Sequence, residues 1–349
     1  MLSACRRLAF QARPFIGSIA YGFAAGRTMH VTIAICTRNR ADSLHRTLES
    51  ITLLQIPKQT SWELIVVDNG STDRTPGVIA YFAEHLPMRH LFEPKRGASN
   101  ARNTAVAASS GEYMLWTDDD VIVDREWLSA YIEAFQQRPE GAFFGGKISP
   151  QLEDPVPTWV TECWSIVANV FSCRDFGDLQ VPLTLDPRRL PFGANWAVRR
   201  AELQAHPYDP NLGVGSQVGT GEETEVIEAI LREGKEGYWV PGAKVVHCIS
   251  RQRQTLRYVI EHFKTYGRSI AYHDQVCGVP QFLGAPRWLW RRVILRGCLY
   301  RYHRLTSSSP IWMEHLFGYA TDKGALGYYR QRRPDSRARV RAPSSACSR

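Results

Sequence analysis

Short apolar runs alternate with amphipathic segments from residue 31 onward, and this order constrains the fold more than any other feature. Residues 31–36 (VTIAIC) and 62–68 (WELIVVD) are apolar runs typical of buried strands. Between them, residues 42–54 carry apolar side chains at helical spacing. Strands and helices that alternate in this way build βαβ units. The pattern predicts an α/β fold with a mostly parallel, twisted central sheet and helices on both faces.

The same alternation continues to about residue 272. Helices are predicted over about 74–86, 98–111, 221–234 and 254–272, and strands over 89–93, 112–117, 193–200 and 238–248. Residues 150–190 contain five prolines and little periodicity. This region is therefore predicted to be a long loop.

The net charge of +9 suggests a nucleic-acid-binding protein until it is divided by position. Residues 1–28 carry +4 and residues 285–349 carry +11, whereas residues 29–284 carry −6. The basic character thus belongs to the two ends of the chain. An acidic central region argues against DNA wrapping and favours a site that holds a cation.

The eight cysteines are scattered singly along the chain, with no C-x-x-C pair and no zinc-finger spacing. Isolated cysteines of this kind usually pack as small hydrophobic residues in a reducing compartment. We therefore expect a cytoplasmic protein with neither a structural zinc site nor a disulfide framework.

Three consecutive aspartates, Asp118, Asp119 and Asp120, follow the predicted strand 112–117. In open α/β sheets, ligands gather at the carboxyl ends of the strands. Adjacent carboxylates repel one another unless a cation neutralises them, and Mg²⁺ or Mn²⁺ binds carboxylate and phosphate oxygens. If the segment is extended, Asp118 and Asp120 should face the same way, toward a nucleotide and a metal. A solvated acidic turn before a helix near Asp124 is the alternative.

Two other polar segments also follow predicted strands. Asp68 ends the strand 62–68, where a carboxylate can bind a base or ribose, although an Asx-turn would use the same residue. Arg102 lies near the start of a predicted helix that follows Gly97, and a helix N-terminus with an arginine can hold phosphate. The alternative makes Ser99 a helix cap and places Arg102 on a solvated face.

Six motifs follow one another over residues 31–272: VTIAICTRNRADSL, IVVDNGSTD, RGASNARNTAVAASSGEYMLWTDDDV, FGANWAVRR, GTGEETEV and VVHCIS. Their order and approximate spacing resemble glycosyltransferase family 2, whose members are inverting enzymes with the GT-A fold. The resemblance implies a nucleotide-diphospho-sugar donor, a carbohydrate or lipid-linked acceptor, and Mn²⁺ or Mg²⁺ held by the acid motif. The implied activity is metal-dependent transfer of a hexosyl group to an acceptor hydroxyl, in polysaccharide or glycolipid synthesis.

The resemblance also implies roles for individual residues. Those expected to contact the nucleotide-sugar are Thr37, Arg38, Asn39, Asp68, Arg102, Asp118, Asp119, Asn195 and Trp196. Asp120 and His247 are the expected metal ligands. A buried histidine at a strand end would account for His247 equally well.

An inverting transfer needs a base that takes the proton of the acceptor hydroxyl, and a nearby carboxylate can do this. The family places an Asp after a Glu where this chain has Glu222 followed by Glu223. Glu223 is therefore the expected base, with Glu in place of the more frequent Asp. Thr220 and Glu223 also have the spacing of a capping box, in which case Glu222 would face the acceptor.

The two ends of the chain differ in composition from its middle. The expected divisions are a dispensable leader or misassigned start at 1–28, a catalytic domain at 29–275, a basic helical extension at 276–329 and a disordered basic tail at 330–349. In residues 287–305, arginines alternate with aromatic and aliphatic residues. This pattern is typical of a helix on the inner face of an anionic membrane, or of one packed on the catalytic domain.

Two other functional classes fit parts of the sequence. A sugar-phosphate nucleotidyltransferase on a related fold should have a Gly-rich basic loop after the first strand, but residues 37–40 (TRNR) contain no glycine. A non-catalytic polyanion-binding protein, led by the basic ends, should show salt-sensitive binding that does not need the acid triplet.

Overall fold

The computed structural model describes residues 28–274 and 279–331, so most of the predicted leader and tail lies outside the described residues. The strands are β1 (Met29–Thr37), β2 (Thr60–Asp68), β3 (Met88–Phe92), β4 (Tyr113–Thr117), β5 (Val121–Val123), β6 (Phe143–Leu152), β7 (Pro182–Leu183), β8 (Asn195–Arg199), β9 (Gly237–Ile249), β10 (Gln281–Phe282) and β11 (Ala285–Pro286). The helices are α1 (Ala41–Thr52), α2 (Thr75–Ala83), α3 (Ala98–Ala108), α4 (Trp127–Gln137), α5 (Thr158–Glu162), α6 (Trp164–Val167), α7 (Arg200–Ala205), α8 (Glu222–Arg232), α9 (Leu256–His273), α10 (Arg287–Thr306) and α11 (Ser309–Gln331).

The central sheet has the strand order β3-β2-β1-β4-β8-β6-β9-β5, with β7 beside β9. Strands β3, β2, β1 and β4 are parallel, as are β6 and β9, whereas β8 runs antiparallel between β4 and β6. The predicted α/β fold with a mostly parallel sheet is therefore confirmed. The antiparallel insertion of β8 is not evident from its sequence.

Both faces of the sheet are covered, which explains why its first strand is a continuous apolar run. Val31 and Ile33 point into one hydrophobic cluster, beneath α1, α2 and α4, whereas Ala34 points into another, beneath α3, α7 and α8. All three side chains are completely buried. Packing in these two clusters fixes the strands and therefore the positions at which the loops at the strand ends begin.

The region predicted to be a long loop contains more structure than expected. Strand β6 enters it, and the short helices α5 and α6 and a 3₁₀ turn at Pro187–Arg189 follow. Val160 and Phe171 are buried in a cluster with Val259 of α9 and Leu316 of α11. Packing against the C-terminal helices therefore orders a segment whose own sequence shows no period.

The predicted C-terminal extension forms α10 and α11, which are anchored to α9. A Cβ atom on Gly324 would collide with the backbone of Lys264, and one on Gly267 would collide with the backbone of Thr321. Helices α9 and α11 therefore cross with their backbones in contact. No helix in the described ranges, 28–274 and 279–331, is long and apolar enough to cross a membrane.

We expect Gly324→Val to lower the free energy of unfolding by about 2–3 kcal/mol, because the added side chain forces α11 away from α9. Gly327→Val is the matched control, since nothing lies within 4 Å of a Cβ atom at that position on the same helix. The control should be neutral or slightly stabilising, because valine favours a helix more than glycine does. Urea denaturation of both variants is the measurement. Equal midpoints would contradict the close crossing.

Candidate active site

The carboxyl ends of β1, β2 and β4 meet at one edge of the sheet. Thr37, the last residue of β1, lies beside Asp68, the last residue of β2, and Thr117 ends β4. The backbone N–H of Asn69 donates to the Thr37 carbonyl at 2.9 Å, which continues the ladder into the loops. Segments distant in sequence are thereby brought to one place.

The aspartate triplet is a turn and not an extended segment. Its residues follow β4 and lead into β5, where Val121 pairs with His247 of β9. Because β5 lies at the far edge of the sheet from β4, the chain must bend between them. The expected alternation of Asp118 and Asp120 is therefore wrong, and the alternative of a turn is partly right. The turn is not a solvated one, however, since Asp120 is only 5% exposed.

Asp119 is held against the end of the first strand. The Thr37 hydroxyl donates to Asp119 Oδ2 at 2.7 Å, and both residues are buried. Burial raises the pKa of Asp119 to about 7, although the positive charge of Arg40 and the Thr37 hydrogen bond oppose the increase. Asp119 thus ties the acid turn to the loop after β1.

Asp120 lies among positively charged and hydrogen-bonding groups. Its Oδ2 atom is 2.9 Å from Arg40 Nη1 and 2.7 Å from Arg253 Nη2, and its Oδ1 atom is 3.3 Å from His247 Nε2. Burial by itself would raise the pKa of Asp120. The neighbouring His247 and the charges of Arg253 and Arg40 outweigh burial and hold the pKa of Asp120 well below its usual range. Asp120 is therefore an ionised carboxylate paired with two arginines.

The orientation of His247 suits metal binding. His247 Nδ1 lies 2.6 Å from the Phe171 carbonyl oxygen, so Nδ1–H donates and Nε2 carries the lone pair. Nε2 accepts from Arg253 Nη1 at 2.9 Å and lies 3.3 Å from Asp120 Oδ1. A histidine oriented by a carbonyl in this way is typical of metal ligands, and imidazole with carboxylate is a suitable donor set for Mn²⁺. The chemistry of Asp120 and His247 therefore fits a divalent cation. His247 is also buried near the end of β9. Its position therefore fits both a metal ligand and a buried strand-end histidine.

Arg102 is buried, so the expectation of a solvated face is wrong. Its guanidinium carbon lies 5.2 Å from the ring centre of Trp116 and 5.6 Å from that of Tyr208. Its Nε atom is 3.7 Å from Glu222 Oε1, and neither Nε nor Nη1 finds a hydrogen-bond acceptor among the described residues. Burial opposes protonation, but the charge of Glu222 raises the pKa of Arg102 above its ordinary value. Arg102 is thus a fixed buried cation whose Nε–H and Nη1–H groups are available as hydrogen-bond donors.

The beginning of α8 distinguishes the two roles expected for Glu223, as a base or as part of a capping box. The helix begins at Glu222 after Gly221, which has φ 97° and no side-chain cap, so the capping box of Thr220 and Glu223 is absent. Glu223 Oε1 instead accepts from the Gly193 N–H at 3.3 Å. Helix α8 therefore leaves the Glu223 carboxylate available at the site.

Glu222 has a different environment, because its side chain is buried beside Arg102. Burial raises the pKa of Glu222 to about 8, and the charge of Glu223 adds to the increase. Glu222 is thus occupied by Arg102 in the interior, whereas Glu223 is the glutamate left available at the site.

The loops after β1 and β2 support each other. Asp68 Oδ1 accepts from the Ser71 N–H at 2.8 Å, which is the Asx-turn expected as the alternative, and Asp68 is only 2% exposed. Asn39 has φ 52°, and its Oδ1 atom accepts from the Thr72 N–H at 2.7 Å. Arg38, between Thr37 and Asn39, is half-buried. Nucleotide contacts of these residues stay predictions.

Asn195 and Trp196 correct the expected sugar-binding set, since both side chains are completely buried. Asn195 Oδ1 accepts from the Trp127 indole and the Tyr131 hydroxyl, each at 2.8 Å. Its Nδ2 donates to the carbonyls of Lys147 and Ala243. Asn195 has thus satisfied its amide within the core, and Trp196 packs in the cluster beneath α3 and α8. They stabilise the sheet under the site and do not line it.

The sequence reasoning missed Arg40 and Arg253, the two arginines that hold Asp120. Arg40 directly follows the motif residues 37–39, and Arg253 lies six residues after His247. A buried acidic turn requires nearby cations, and this requirement was the available signal.

A second group of metal-type side chains lies elsewhere in the described residues, at Glu202, His206 and Glu233. The Lys235 ammonium lies 2.6 Å from Glu202 and 2.8 Å from Glu233. This lysine supplies the positive charge that the group needs. We therefore interpret it as a salt-bridge cluster.

One family model and several known proteins are similar to this chain. The model of glycosyl transferase family 2 matches residues 32–203. The succinoglycan biosynthesis protein ExoM of Rhizobium meliloti (strain 1021) is 26% identical over 255 residues, covering 70% of this chain and 76% of that protein. The glucosyl-dolichyl phosphate glucuronosyltransferase of Haloferax volcanii is 24% identical over 240 residues, covering 66% of this chain and 73% of its own length.

A solved structure has the same fold. The mannosyltransferase PcManGT of Pyrobaculum calidifontis, in complex with GDP-Man and Mn²⁺, superposes with a TM-score of 0.52 and 18% identity. The match covers 85% of this chain and 86% of that one. The fold is accordingly GT-A.

Proposed function

This chain belongs to glycosyltransferase family 2, and we propose that it is a metal-dependent inverting enzyme that moves a sugar from a nucleotide-diphospho-sugar to an acceptor hydroxyl. The observation that carries the proposal is the pair of Asp120 and His247. Their Oδ1 and Nε2 atoms lie 3.3 Å apart at the carboxyl edge of the sheet, and carboxylate and imidazole are both ligands of divalent cations. The mannosyltransferase of similar fold contains Mn²⁺ and a nucleotide-sugar, which supports Mn²⁺ or Mg²⁺ here.

In this proposal Asp120 and His247 hold the divalent cation, which neutralises charge on the leaving diphosphate. Thr37, by fixing Asp119, keeps the nucleotide loop and the acid turn in register. Two nitrogens of Arg102 lack acceptors among the described residues, and in this proposal they donate to the donor sugar or diphosphate. The protein thus presents cations and N–H groups where negative charge develops.

Glu223 is the proposed base. Its carboxylate takes the proton of the acceptor hydroxyl while the acceptor oxygen bonds to the anomeric carbon and the bond to the diphosphate oxygen breaks. Inversion follows because attack and departure occur on opposite sides of that carbon. Glu222, whose Oε1 atom lies 3.7 Å from Arg102 Nε, keeps this cation in place.

The relatives support a choice of acceptor class. One relative is a succinoglycan biosynthesis protein, and another is a glucuronosyltransferase that acts on glucosyl-dolichyl phosphate. We therefore propose a growing polysaccharide or a lipid-linked sugar as the acceptor, with Asp68 and the loop at 37–39 holding the nucleotide.

The surface of α10 favours a membrane location for this acceptor. Ten of the nineteen exposed large hydrophobic side chains in the described residues lie within residues 282–317. Along α10, Leu295, Tyr302 and Leu305 are more than 60% exposed. The helix also carries six arginines and no acidic residue. Apolar side chains among positive charges suit an anionic lipid surface, which we propose as the peripheral binding partner.

We expect Leu295→Glu/Leu305→Glu to lower binding to phosphatidylglycerol-containing vesicles at least about tenfold, because it removes two apolar anchors and adds negative charge. The control is Leu53→Glu/Leu179→Glu, which alters exposed leucines away from α10. Co-sedimentation with phosphatidylcholine and phosphatidylglycerol vesicles is the measurement, beside light scattering for oligomeric state. Equal partitioning of both variants, or a dimer that only the α10 variant dissolves, would overturn the membrane proposal.

The enzymatic proposal is tested with a panel of UDP-, GDP- and dTDP-sugars in the presence of Mn²⁺. Release of nucleoside diphosphate that EDTA abolishes supports the transferase. Release of pyrophosphate from a nucleoside triphosphate and a sugar phosphate would instead indicate a nucleotidyltransferase. Salt-sensitive polyanion binding without metal-linked nucleotide binding would indicate a non-catalytic protein.

A further inference from the structure

Arg253 occupies the place between the two expected metal ligands. Its Nη2 atom is 2.7 Å from Asp120 Oδ2, and its Nη1 atom is 2.9 Å from His247 Nε2. One guanidinium group therefore bridges the carboxylate and the imidazole, and supplies the positive charge that the metal would supply. Arg40 adds a second positive charge at Asp120 Oδ2, at 2.9 Å.

The backbone around Arg253 is anchored independently of this contact. Gln254 is 2% exposed, and its Nε2 atom donates to the carbonyls of Glu153 at 2.9 Å and Ile249 at 3.1 Å. The loop from β9 to α9 is thus fixed by the neighbouring residue. The Arg253 side chain is able to change its contacts while the loop stays in place.

Space for such a movement lies next to the side chain. A cleft of about 1030 Å³ opens beside Asp120, and Arg253 and Arg40 line it together with the loops after β1 and β2. The Arg253 side chain is 19% exposed toward this space. Asp120 also lines the cleft, but its side chain is only 5% exposed. Arg253 is therefore the more accessible member of the pair.

We propose that Arg253 is a displaceable cation, which holds Asp120 and His247 together in the metal-free protein and moves to the donor diphosphate when the metal binds. The inference rests on the proposed function. A buried carboxylate without a counter-ion is costly, so the guanidinium stabilises the metal-free site. A divalent ion added beside two guanidinium groups would meet repulsion. A nucleoside diphosphate removes this repulsion, because its oxygens can accept hydrogen bonds from the arginines and also bind the metal.

The proposal predicts that metal and nucleotide bind with positive coupling, which must be reciprocal. The wild-type protein should bind Mn²⁺ weakly by itself and at least about tenfold more tightly with saturating UDP or GDP. Arg253→Gln should bind Mn²⁺ alone about tenfold more tightly than wild type, and the coupling should shrink. The measurement is electron paramagnetic resonance of free Mn²⁺ during titration, which needs no catalytic turnover.

Arg251→Gln is the matched control, since Arg251 lies in the same loop and is bonded through its backbone. Its N–H donates to Glu153 and its carbonyl accepts from the Gln254 N–H. This variant should match wild type. Arg253→Lys tests the bridge itself, because one ammonium cannot reproduce the two-pronged contact, and it should give an intermediate Mn²⁺ affinity. Thermal unfolding confirms that each variant is folded.

Two results would overturn the role of Arg253. One is an Arg253→Gln protein that binds Mn²⁺ no more tightly than wild type, and the other is a wild-type protein whose Mn²⁺ affinity ignores UDP and GDP. Failure of the proposed function would look different. In that case no donor would release nucleoside diphosphate, whatever the Mn²⁺ affinities of the variants.

Discussion

Replacing Asp120 with asparagine is expected to lower the rate of sugar transfer by about 10³-fold, the size of effect seen when a main electrostatic contact to a transition state is lost. Asp120 is the carboxylate that faces His247 and two arginines. Its amide would offer the cation a neutral oxygen and would leave Arg40 and Arg253 without their partner. The measurement is the release of nucleoside diphosphate at saturating donor and Mn²⁺. Mn²⁺ binding, followed separately, should be lost as well.

Asp42→Asn is the control for this variant. Asp42 lies at the start of α1, near the same sheet edge, in an exposed ion pair with Arg74 at 2.9 Å. Exposed pairs of this kind contribute little to stability, so activity should stay within about twofold of wild type. If Asp120→Asn kept more than a tenth of the wild-type rate while folded, the assignment of the metal site would be wrong.

Replacing Glu223 with glutamine is expected to lower kcat by about 10²–10⁴-fold, with little change in the affinity for donor. Glutamine keeps the acceptor for the Gly193 N–H, because Oε1 of either side chain can receive that hydrogen bond. It cannot take a proton from an acceptor hydroxyl. The effect should therefore appear in kcat, measured with a donor and acceptor pair identified in the panel. Donor binding is measured separately by calorimetry.

Glu222→Gln is the informative comparison, because the two glutamates are adjacent on α8. Glu222 is buried against Arg102, with its Oε1 atom 3.7 Å from Arg102 Nε, which gives it a positioning role. Its replacement by a neutral amide should cost less than about tenfold in rate. If Glu222→Gln is inactive and Glu223→Gln is active, the base is Glu222.

Apolar runs made the sheet predictable from the sequence. Strand β1 is buried on both faces, and a continuous run such as residues 31–36 has few other places in a fold. The end of β2 at Asp68 follows from the same reasoning. Strand β6 was missed because its second half is interrupted by Pro150 and is only partly buried. Its partner β9 orders it, and no local signal reports that pairing.

The site itself was predictable only as a set of residues. Motif order brought Asp120, His247 and Arg102 into one list, but it carries no information on burial. The amide of Asn195 satisfies four groups within the core, so a recognisable motif residue proved to be structural. Arg253, by contrast, belongs to no quoted motif. Arg253 becomes apparent only in the structure, as one of the groups that neutralise the buried Asp120 carboxylate.

The close crossing of α9 and α11 also bears on how such enzymes exchange parts during evolution. On its other side α9 supports the approach to α8, where Arg268 Nε donates to the Val218 carbonyl at 3.2 Å and Ser269 contacts Gly221. One helix thus connects the extension with the segment that presents Glu222 and Glu223. A recombination point near residue 275 would separate α9 from α11, whose backbones are in contact. Lineages that acquire a new C-terminal extension should therefore inherit α9 together with it.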